Sequence, residues 1–394
     1  MKTTRRSVSS GEKIRVCYVV HLDLRWVAFE WIARELDRDR FELYVLFLNE
    51  GINPTTAHLE ALGVHCEHID HPYDTRLLRG TLRVLQSVPP VVRFCRAHRI
   101  DVLHAHFQQA PMIAALAGWW AGVPRRLYTR HVGAPHPWPP RSKQTLLFRK
   151  IHNRLSTRII AITELVREAL LAEQVPAEKI DLIHHGFDLE AFRQVSPERI
   201  EAVREKYIPG GAGPVIGNVS RYVEYKGIQY LIPAFLRLLE DRPNAFLVVA
   251  GTFGPDDDMI RPLVDALPPE RVAKIRFEED HYALFHLFDV FVHIPIDRIV
   301  EAYGQVYVEA MAAGVPSVIS LSGIALEYAK HGENAWVVDY RNSEQVYEGI
   351  ARLLEDHGLR AKLIEQGWTC AVDHYGLQKM IGALEDLYQA PGRP

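Results

Sequence analysis

Between Val290 and Leu321 the chain passes from one apolar run to another through a single helix-length segment, which constrains the fold more than any other stretch. Val290 to Ile294 has the β-branched and aromatic character of a buried strand. A loop carrying Pro295, Asp297 and Glu301 follows, and a helix is predicted to begin near Tyr303-Gly304. It must stop at Gly314-Val315-Pro316, because Gly takes the left-handed position after a helix end and Pro forbids continuation. A second apolar strand, Ser317 to Leu321, follows at once. Strand, helix and strand within about thirty residues is the βαβ unit of a parallel sheet. The first turn leaves the N–H groups of Gly304, Gln305 and Val306 without intrahelical partners, and such an N-terminus attracts phosphate. Glu301 stands just ahead of it and Glu309 inside the helix. A carboxylate beside an anion site repels the anion unless it holds something else, such as sugar hydroxyls. The placement implies a bound group that is part phosphate and part polyol.

A second pair of charges points the same way. In SRYVEYKG, Arg221 and Lys226 lie five apart around a turn after the strand Pro214 to Val219. Two cations aimed at one place repel each other unless an anion lies between them, and a diphosphate suits that geometry. Two unrelated surface cations would be the ordinary alternative.

These residues also carry a resemblance. Glu301, seven intervening residues, Glu309 and then AMAAGVP resemble the E-x7-E signature of the large retaining glycosyltransferase family 4, which has the GT-B fold. The Arg221 to Gly227 element, with Gly217 four residues before Arg221, is similar to the family's GR-x4-KG. The resemblance runs along the whole chain and is most specific between Val215 and Asp339. It implies an α/β protein with two Rossmann-like parallel-sheet lobes facing across a cleft. Residues 1–195 would be an acceptor lobe, 196–213 a linker ending in PGGAGP, and 214–375 a nucleotide-sugar-binding lobe. Residues 376–394 would be a helix crossing back to the N-terminal lobe.

The front of the chain departs from the familiar patterns. Ile14 to Val20 and Phe41 to Phe47 read as strands around a helix from Arg25 to Arg38, yet the first turn, HLDLRW, contains no glycine. A dinucleotide fingerprint needs Gly there so that the backbone can approach a pyrophosphate, so the turn argues against nicotinamide or flavin binding. Family members often have a Gly-Gly pair here as well. Asp101 to His106 ends in two His on one side of a strand, which without a third ligand makes a poor metal site. The resemblance implies instead that this strand end lines the interdomain cleft. It also implies that His131, at the next strand's end, reaches the donor sugar near its C6 hydroxyl. His185-Gly186-Phe187-Asp188 stands where the family usually has Asn-Gly-(Val/Ile)-Asp. Asp256 to Asp258 could chelate a cation, but its Gly/Pro-bounded setting reads as a solvated turn.

Composition sets the remaining bounds. A length of 394 residues favours two domains, and 48% hydrophobic with 24% charged residues is ordinary for a soluble globular chain. Cys17, Cys66, Cys95 and Cys370 form no CxxC and read as buried thiols in a reducing compartment. Met1 to Lys13 lacks the apolar region of a signal peptide, and no run approaches the roughly 20 apolar residues of a spanning helix. A cytoplasmic location is expected, with a candidate peripheral membrane contact. Residues 1–190 hold 26 basic against 20 acidic side chains, and the remainder 20 against 29. The excess is too mild for nucleic acid. Two basic segments, Leu77 to Arg99 (broken at Pro89-Pro90) and Pro135 to Arg154 (with Arg141 and Lys143), are either solvated faces or contacts for anionic lipid or a lipid-linked acceptor.

The resemblance thus implies transfer of a sugar from a nucleotide-diphosphate donor, UDP or GDP, to a saccharide or lipid-linked hydroxyl with retained configuration. Arg221, Lys226 and the helix N-terminus at Gly304, Gln305 and Val306 would hold the diphosphate without a metal or other cofactor. Glu309 would accept from the ribose hydroxyls, and Glu301 from sugar hydroxyls at C3 and C4. No carboxylate is assignable beneath the anomeric carbon, so a front-face reaction is implied. Lys226→Ala is then expected to cost orders of magnitude in turnover without unfolding the protein. A sugar-nucleotide epimerase and a non-catalytic GT-B scaffold are the rival readings.

Overall fold

A computed structural model describes residues 12–72, 74, 76–133, 143–210 and 212–390. The chain forms two compact units, Met1–Gly186 together with Leu377–Pro394, and Phe187–Gly376.

The first unit is built on a seven-stranded parallel sheet of β1 (Ile14–Val20), β2 (Phe41–Leu48), β3 (His65–Ile69), β4 (Val102–His106), β5 (Arg125–Arg130), β6 (Arg158–Ala161) and β7 (Ile180–Leu182). Its order is β3-β2-β1-β4-β5-β6-β7, so the direction of winding reverses between β1 and β4. Beyond the carboxyl ends of two such strands an open α/β sheet offers a crevice.

The helix Leu77–Ala97 continues through Pro89 and Pro90, where the sequence predicts a break. Each proline removes a backbone hydrogen bond, but Val84, Val88, Val91, Val92, Phe94 and Cys95 form a buried stripe against the helix Ala110–Ala121. Burying that stripe outweighs the lost bonds. The last helix, Leu377–Gln389, belongs to this unit. Its Tyr388 hydroxyl meets the Tyr18 hydroxyl at 2.7 Å and His104 Nδ1 at 2.8 Å, inside the core.

The second unit has a six-stranded parallel sheet of β8 (Val215–Val219), β9 (Phe246–Ala250), β10 (Val272–Ile275), β11 (Val290–His293), β12 (Ser317–Ile319) and β13 (Trp336–Val337). The order β10-β9-β8-β11-β12-β13 reverses between β8 and β11. The predicted strand, helix and strand are β11, the helix Gln305–Ala312 and β12, with Gly314 in the left-handed region at φ +71.

Residues 196–213, expected to be a linker, contain the helix Pro197–Tyr207. Ser196 caps its N-terminus, and Arg199 and Lys206 pair with Asp280 at 2.6 Å and Glu278 at 2.8 Å. The change of unit falls earlier, at Gly186–Phe187, because Phe192 is buried against Tyr282 and Phe285 of the second unit. The glycine-rich composition of PGGAGP marked a turn before β8, not the domain boundary. The return to the first unit, at Leu377, lies one residue after the position expected. Among the described residues, no helix is long and apolar enough to cross a membrane.

Candidate active site

The reversal point of the second unit brings two of the sequence-predicted residues together. Lys226 lies in the turn after β8 and Glu301 in the loop after β11, and Lys226 Nζ meets Glu301 Oε1 at 2.5 Å. The turn can approach β11 because Gly227 has φ +82; a Cβ there would stand 1.9 Å from the Ile294 carbonyl oxygen. No L side chain fits.

Glu301 is buried and held on several sides. His293 Nε2 lies 2.9 Å from the same carboxylate oxygen. The Glu301 N–H donates to Ser322 Oγ at 3.1 Å, and that hydroxyl donates to the Arg298 carbonyl at 3.1 Å. Gly323 closes against this loop, where a Cβ would come within 2.9 Å of Glu301 Cβ. Burial alone would raise the Glu301 carboxyl, but the Lys226 ammonium and the His293 hydrogen bond outweigh it and bring it down to about 2. His293 itself is fully buried and held below the usual imidazole range by desolvation, although Glu301 pulls the other way. Its Nε2–H therefore donates to a permanent carboxylate.

Arg221 is exposed on the loop after β8. Within that strand Asn218 Nδ2 donates to the Val292 carbonyl at 2.8 Å, tying β8 to β11, and Ser220 donates to Asn218 Oδ1 at 3.0 Å. Gly304 caps the helix Gln305–Ala312 with φ +85 and no side-chain cap. Gly304 has no side chain with which to cap the first-turn N–H groups of Gln305 and Val306. Glu309 is half-buried in this helix, and burial pushes its carboxyl up to about 7.

In the acidic run Asp256 to Asp258, Asp258 is exposed and the other two carboxylates have partners. Asp256 accepts from the Glu224 N–H at 2.8 Å, and Asp257 pairs with Arg261 at 2.6 Å at the start of the helix Asp257–Asp265. Both carboxylates are engaged in holding the chain.

The reversal point of the first unit is lined with imidazoles. His21 follows β1 and donates its backbone N–H to the carbonyl of His106, the last residue of β4, at 3.2 Å. His104 is bonded through both nitrogens, to Tyr388 at 2.8 Å and Thr129 at 2.8 Å, so its lone pair is committed and the two His make no metal pair. His106 Nδ1 faces His131 Nε2 at 3.2 Å. His131 lies between the rings of Phe107 at 4.0 Å and His185 at 5.4 Å, both nearly parallel to it. Phe107 reaches this position with φ +64, an uncommon conformation for a bulky residue and hence one the surroundings impose. Desolvation lowers His131 and His106 well below the usual imidazole range, with neighbouring imidazoles adding to it. Both are neutral at pH 7. A cavity of about 30 Å³ beside them, lined by Tyr18, Phe29, His104, His106 and His131, has room for water but not for a sugar.

The glycine-free first turn is filled by side chains. Trp26 precedes the helix Val27–Glu35, packs 4.4 Å from Phe107, and is held by Thr55 Oγ1 at 3.2 Å from its N–H. Sequence reasoning assigned no role to His293, Asn218, Ser322 or Trp26. For His293 the signal was present, a histidine inside an otherwise apolar strand.

Residues 134–142 of the second basic segment, Arg141 among them, lie outside the described residues, as does the side chain of Lys143. In the first segment Arg79, Arg93 and Arg96 are exposed, together with Leu78, Leu82 and Leu85.

Residues 30–191 match the family model described as Glycosyltransferase Family 4, and residues 199–368 match the one described as Glycosyl transferases group 1. The two doubly wound sheets are those of the GT-B fold, and the chain belongs to the family 4 glycosyltransferases. The Staphylococcus aureus capsular polysaccharide biosynthesis glycosyltransferase CapM is 25% identical over 312 residues, covering 77% of this chain and 80% of that protein. The GDP-mannose-dependent monoacylated alpha-(1-6)-phosphatidylinositol monomannoside mannosyltransferase of Corynebacterium glutamicum is 27% identical over 341 residues, 82% and 87% of the two chains. The crystal structure of Anabaena HepE in complex with UDP and glucose matches with a TM-score of 0.80 at 23% identity, over 96% of this chain and 100% of that one.

The ion pair changes what Lys226→Ala should do. Removing the ammonium strands a buried carboxylate, so the variant should lose stability as well as turnover, by roughly 3 kcal/mol at pH 7.5. Adding Glu301→Gln should restore most of that stability in urea titrations without restoring activity. Equal stability of Lys226→Ala and wild type would show that the pair carries no weight.

Glu309 makes a separate prediction. Its folded-state value, about 7, lies above its unfolded value near 4.5. The stability gained by taking up a proton is complete below about pH 4.5 and lost as pH rises through 7. Glu309→Gln should match wild type at pH 4 and exceed its stability by up to about 3 kcal/mol at pH 8, read from urea midpoints. A pH-independent difference would contradict the shift.

Proposed function

We propose that this glycosyltransferase moves a sugar from a UDP- or GDP-linked donor to a hydroxyl of a saccharide or lipid-linked acceptor, with retained configuration and no metal requirement. The observation that carries the reading is the meeting of Lys226 and Glu301 at the β8–β11 reversal point, next to a helix whose cap offers no side-chain oxygen.

In this mechanism the anomeric C–O bond to the diphosphate breaks as the acceptor oxygen bonds to the anomeric carbon. Negative charge grows on the departing diphosphate. Lys226, Arg221 and the N–H groups of Gly304, Gln305 and Val306 stabilise it there, which is electrostatic catalysis by charges already in place. The acceptor proton leaves with a phosphate oxygen on the same face. Glu301, ionised by its partners, accepts from sugar hydroxyls, and His293 keeps its carboxylate oriented. Glu309 takes the ribose hydroxyls. In the first unit His131 offers a neutral imidazole to a sugar hydroxyl. Lys226 has two partners in this scheme, Glu301 before donor binding and the phosphate after it.

The relatives named for capsular polysaccharide and for a phosphatidylinositol mannoside support a role in cell-surface polysaccharide, lipopolysaccharide or glycolipid biosynthesis. Those named for UDP and GDP-mannose leave both bases within the proposal. A cytoplasmic enzyme bound peripherally to the membrane fits a lipid-linked acceptor. The exposed leucines at positions 78, 82 and 85 repeat at helical spacing beside Arg79. That combination of apolar and basic groups suits an anionic lipid surface.

A thermal-shift screen with UDP, GDP, ADP and CMP tests the donor site, each measured against its own nucleotide-free baseline with and without EDTA. One of UDP or GDP should raise the melting temperature by the same amount in both conditions. No shift with any nucleotide would favour a non-catalytic scaffold, and conversion of the sugar nucleotide without an acceptor would favour an epimerase. Product NMR should show the donor's anomeric configuration kept.

Sedimentation with anionic phospholipid vesicles tests the membrane face. Wild type should co-sediment and Leu82→Glu should not, while its nucleotide shift stays unchanged. Equal sedimentation of the two would remove this surface from the proposal.

A further inference from the structure

We propose that His65, Glu67 and His98 form a binding site for one late first-row divalent metal ion, zinc by chemical class. The site lies on the edge of the first unit's sheet and is separate from the residues given a role in sugar transfer. His65 and Glu67 are two apart in β3, so strand alternation puts them on one face, with Cys66 on the other. β3 is the edge strand, and His65 is its first residue, at the end of the sheet opposite the carboxyl-end crevice. His98 is the C-cap of the helix Leu77–Ala97. Its position at the negative end of that helix favours a cation.

The three ligand atoms already converge. Glu67 Oε1 lies 3.1 Å from His65 Nε2 and 3.6 Å from His98 Nε2, and all three atoms fall within 4.8 Å of one another. Ligands about 2.0–2.1 Å from a tetrahedral zinc stand roughly 3.4 Å apart, midway between those two distances. Two imidazoles and a carboxylate are the donor set of zinc and its neighbours. Calcium and magnesium need more oxygen ligands than the site offers.

Both imidazoles are also held in place. Tyr44, paired with His65 across β2 and β3, packs at 5.7 Å from the His65 ring and 5.1 Å from His98. Phe94 packs at 4.4 Å from His98, and both aromatic side chains are buried. A shared aromatic floor fixes the ring orientations before any ion arrives, as buried neighbours do at built metal sites. His65 and Glu67 are half exposed, so a fourth position opens to water or to a group from another molecule. A bound ion would clamp the edge strand to the end of the helix. The competing arrangement is a pair of hydrogen bonds in which Glu67 merely accepts from both imidazoles.

The test uses the full, tag-free chain, stripped with EDTA and dialysed. Calorimetric titration with zinc chloride should show one equivalent bound. Cobalt(II) should give the visible absorption of a tetrahedral site, and zinc should raise the melting temperature where magnesium does not. His65→Ala/His98→Ala should bind zinc at least tenfold more weakly, with an unchanged circular dichroism spectrum and an unchanged nucleotide shift. Absence of binding to wild type, or equal binding by the double variant, would overturn the proposal. Either result leaves the nucleotide shift free to report on the donor site alone.

Discussion

A carboxylate buried beside an ammonium governs the second unit. Glu301 has little solvent, and an isolated charge there would cost several kcal/mol. Lys226 and His293 make it tolerable, and both are placed by the chain around them. Gly227 lets the Lys226 turn press against β11, Gly323 leaves space for the Glu301 backbone, and Ser322 fixes that backbone by a hydrogen bond. Each contact exists so that two opposite charges can meet at the reversal point of a parallel sheet. The same pair gives the proposed chemistry its economy, since a cation held by a carboxylate is already in position for a phosphate.

The two units share a strand order but not an electrostatic character. At the second reversal point stand an ammonium, a carboxylate and a helix N-terminus. At the first stand His21, His106 and His131, neutralised by burial and by neighbouring imidazoles, on a floor of Tyr18, Phe29 and Phe107. Neutral imidazoles offer donors and acceptors without attracting phosphate. At the glycine-free turn HLDLRW, Trp26 packs against the rings of Phe107 and His131.

Much of this was legible because the second unit writes its site in local sequence. Strand, loop, helix and strand from Val290 to Ile319 follow from apolar runs, Gly314 and Pro316, and Glu301 and Glu309 sit in fixed register with that helix. The misreadings came where burial overrode a local rule. Pro89 and Pro90 should break a helix, yet the stripe from Val84 to Cys95 holds it together. PGGAGP looked like the boundary, yet Phe192 had already committed the chain to the second unit. Asp256 and Asp257 read as part of a solvated turn, yet the Glu224 N–H and Arg261 engage them, while Asp258 stays exposed.

Through its resemblance to family 4 the sequence implied the fold class, and by itself it determined the βαβ unit carrying the two glutamates and the presence of basic residues suited to a diphosphate. Those depend on interactions within a few residues, which spacing and composition report directly. Only the tertiary structure decided that Lys226 and Glu301, 75 residues apart, share a contact, that His293 completes it, and that Tyr388 closes the core beneath His104. It also joined His98 to His65 and Glu67 across a strand and a helix. Long-range meetings are set by how strands order themselves in a sheet and which faces they bury, and no local pattern in the chain records them.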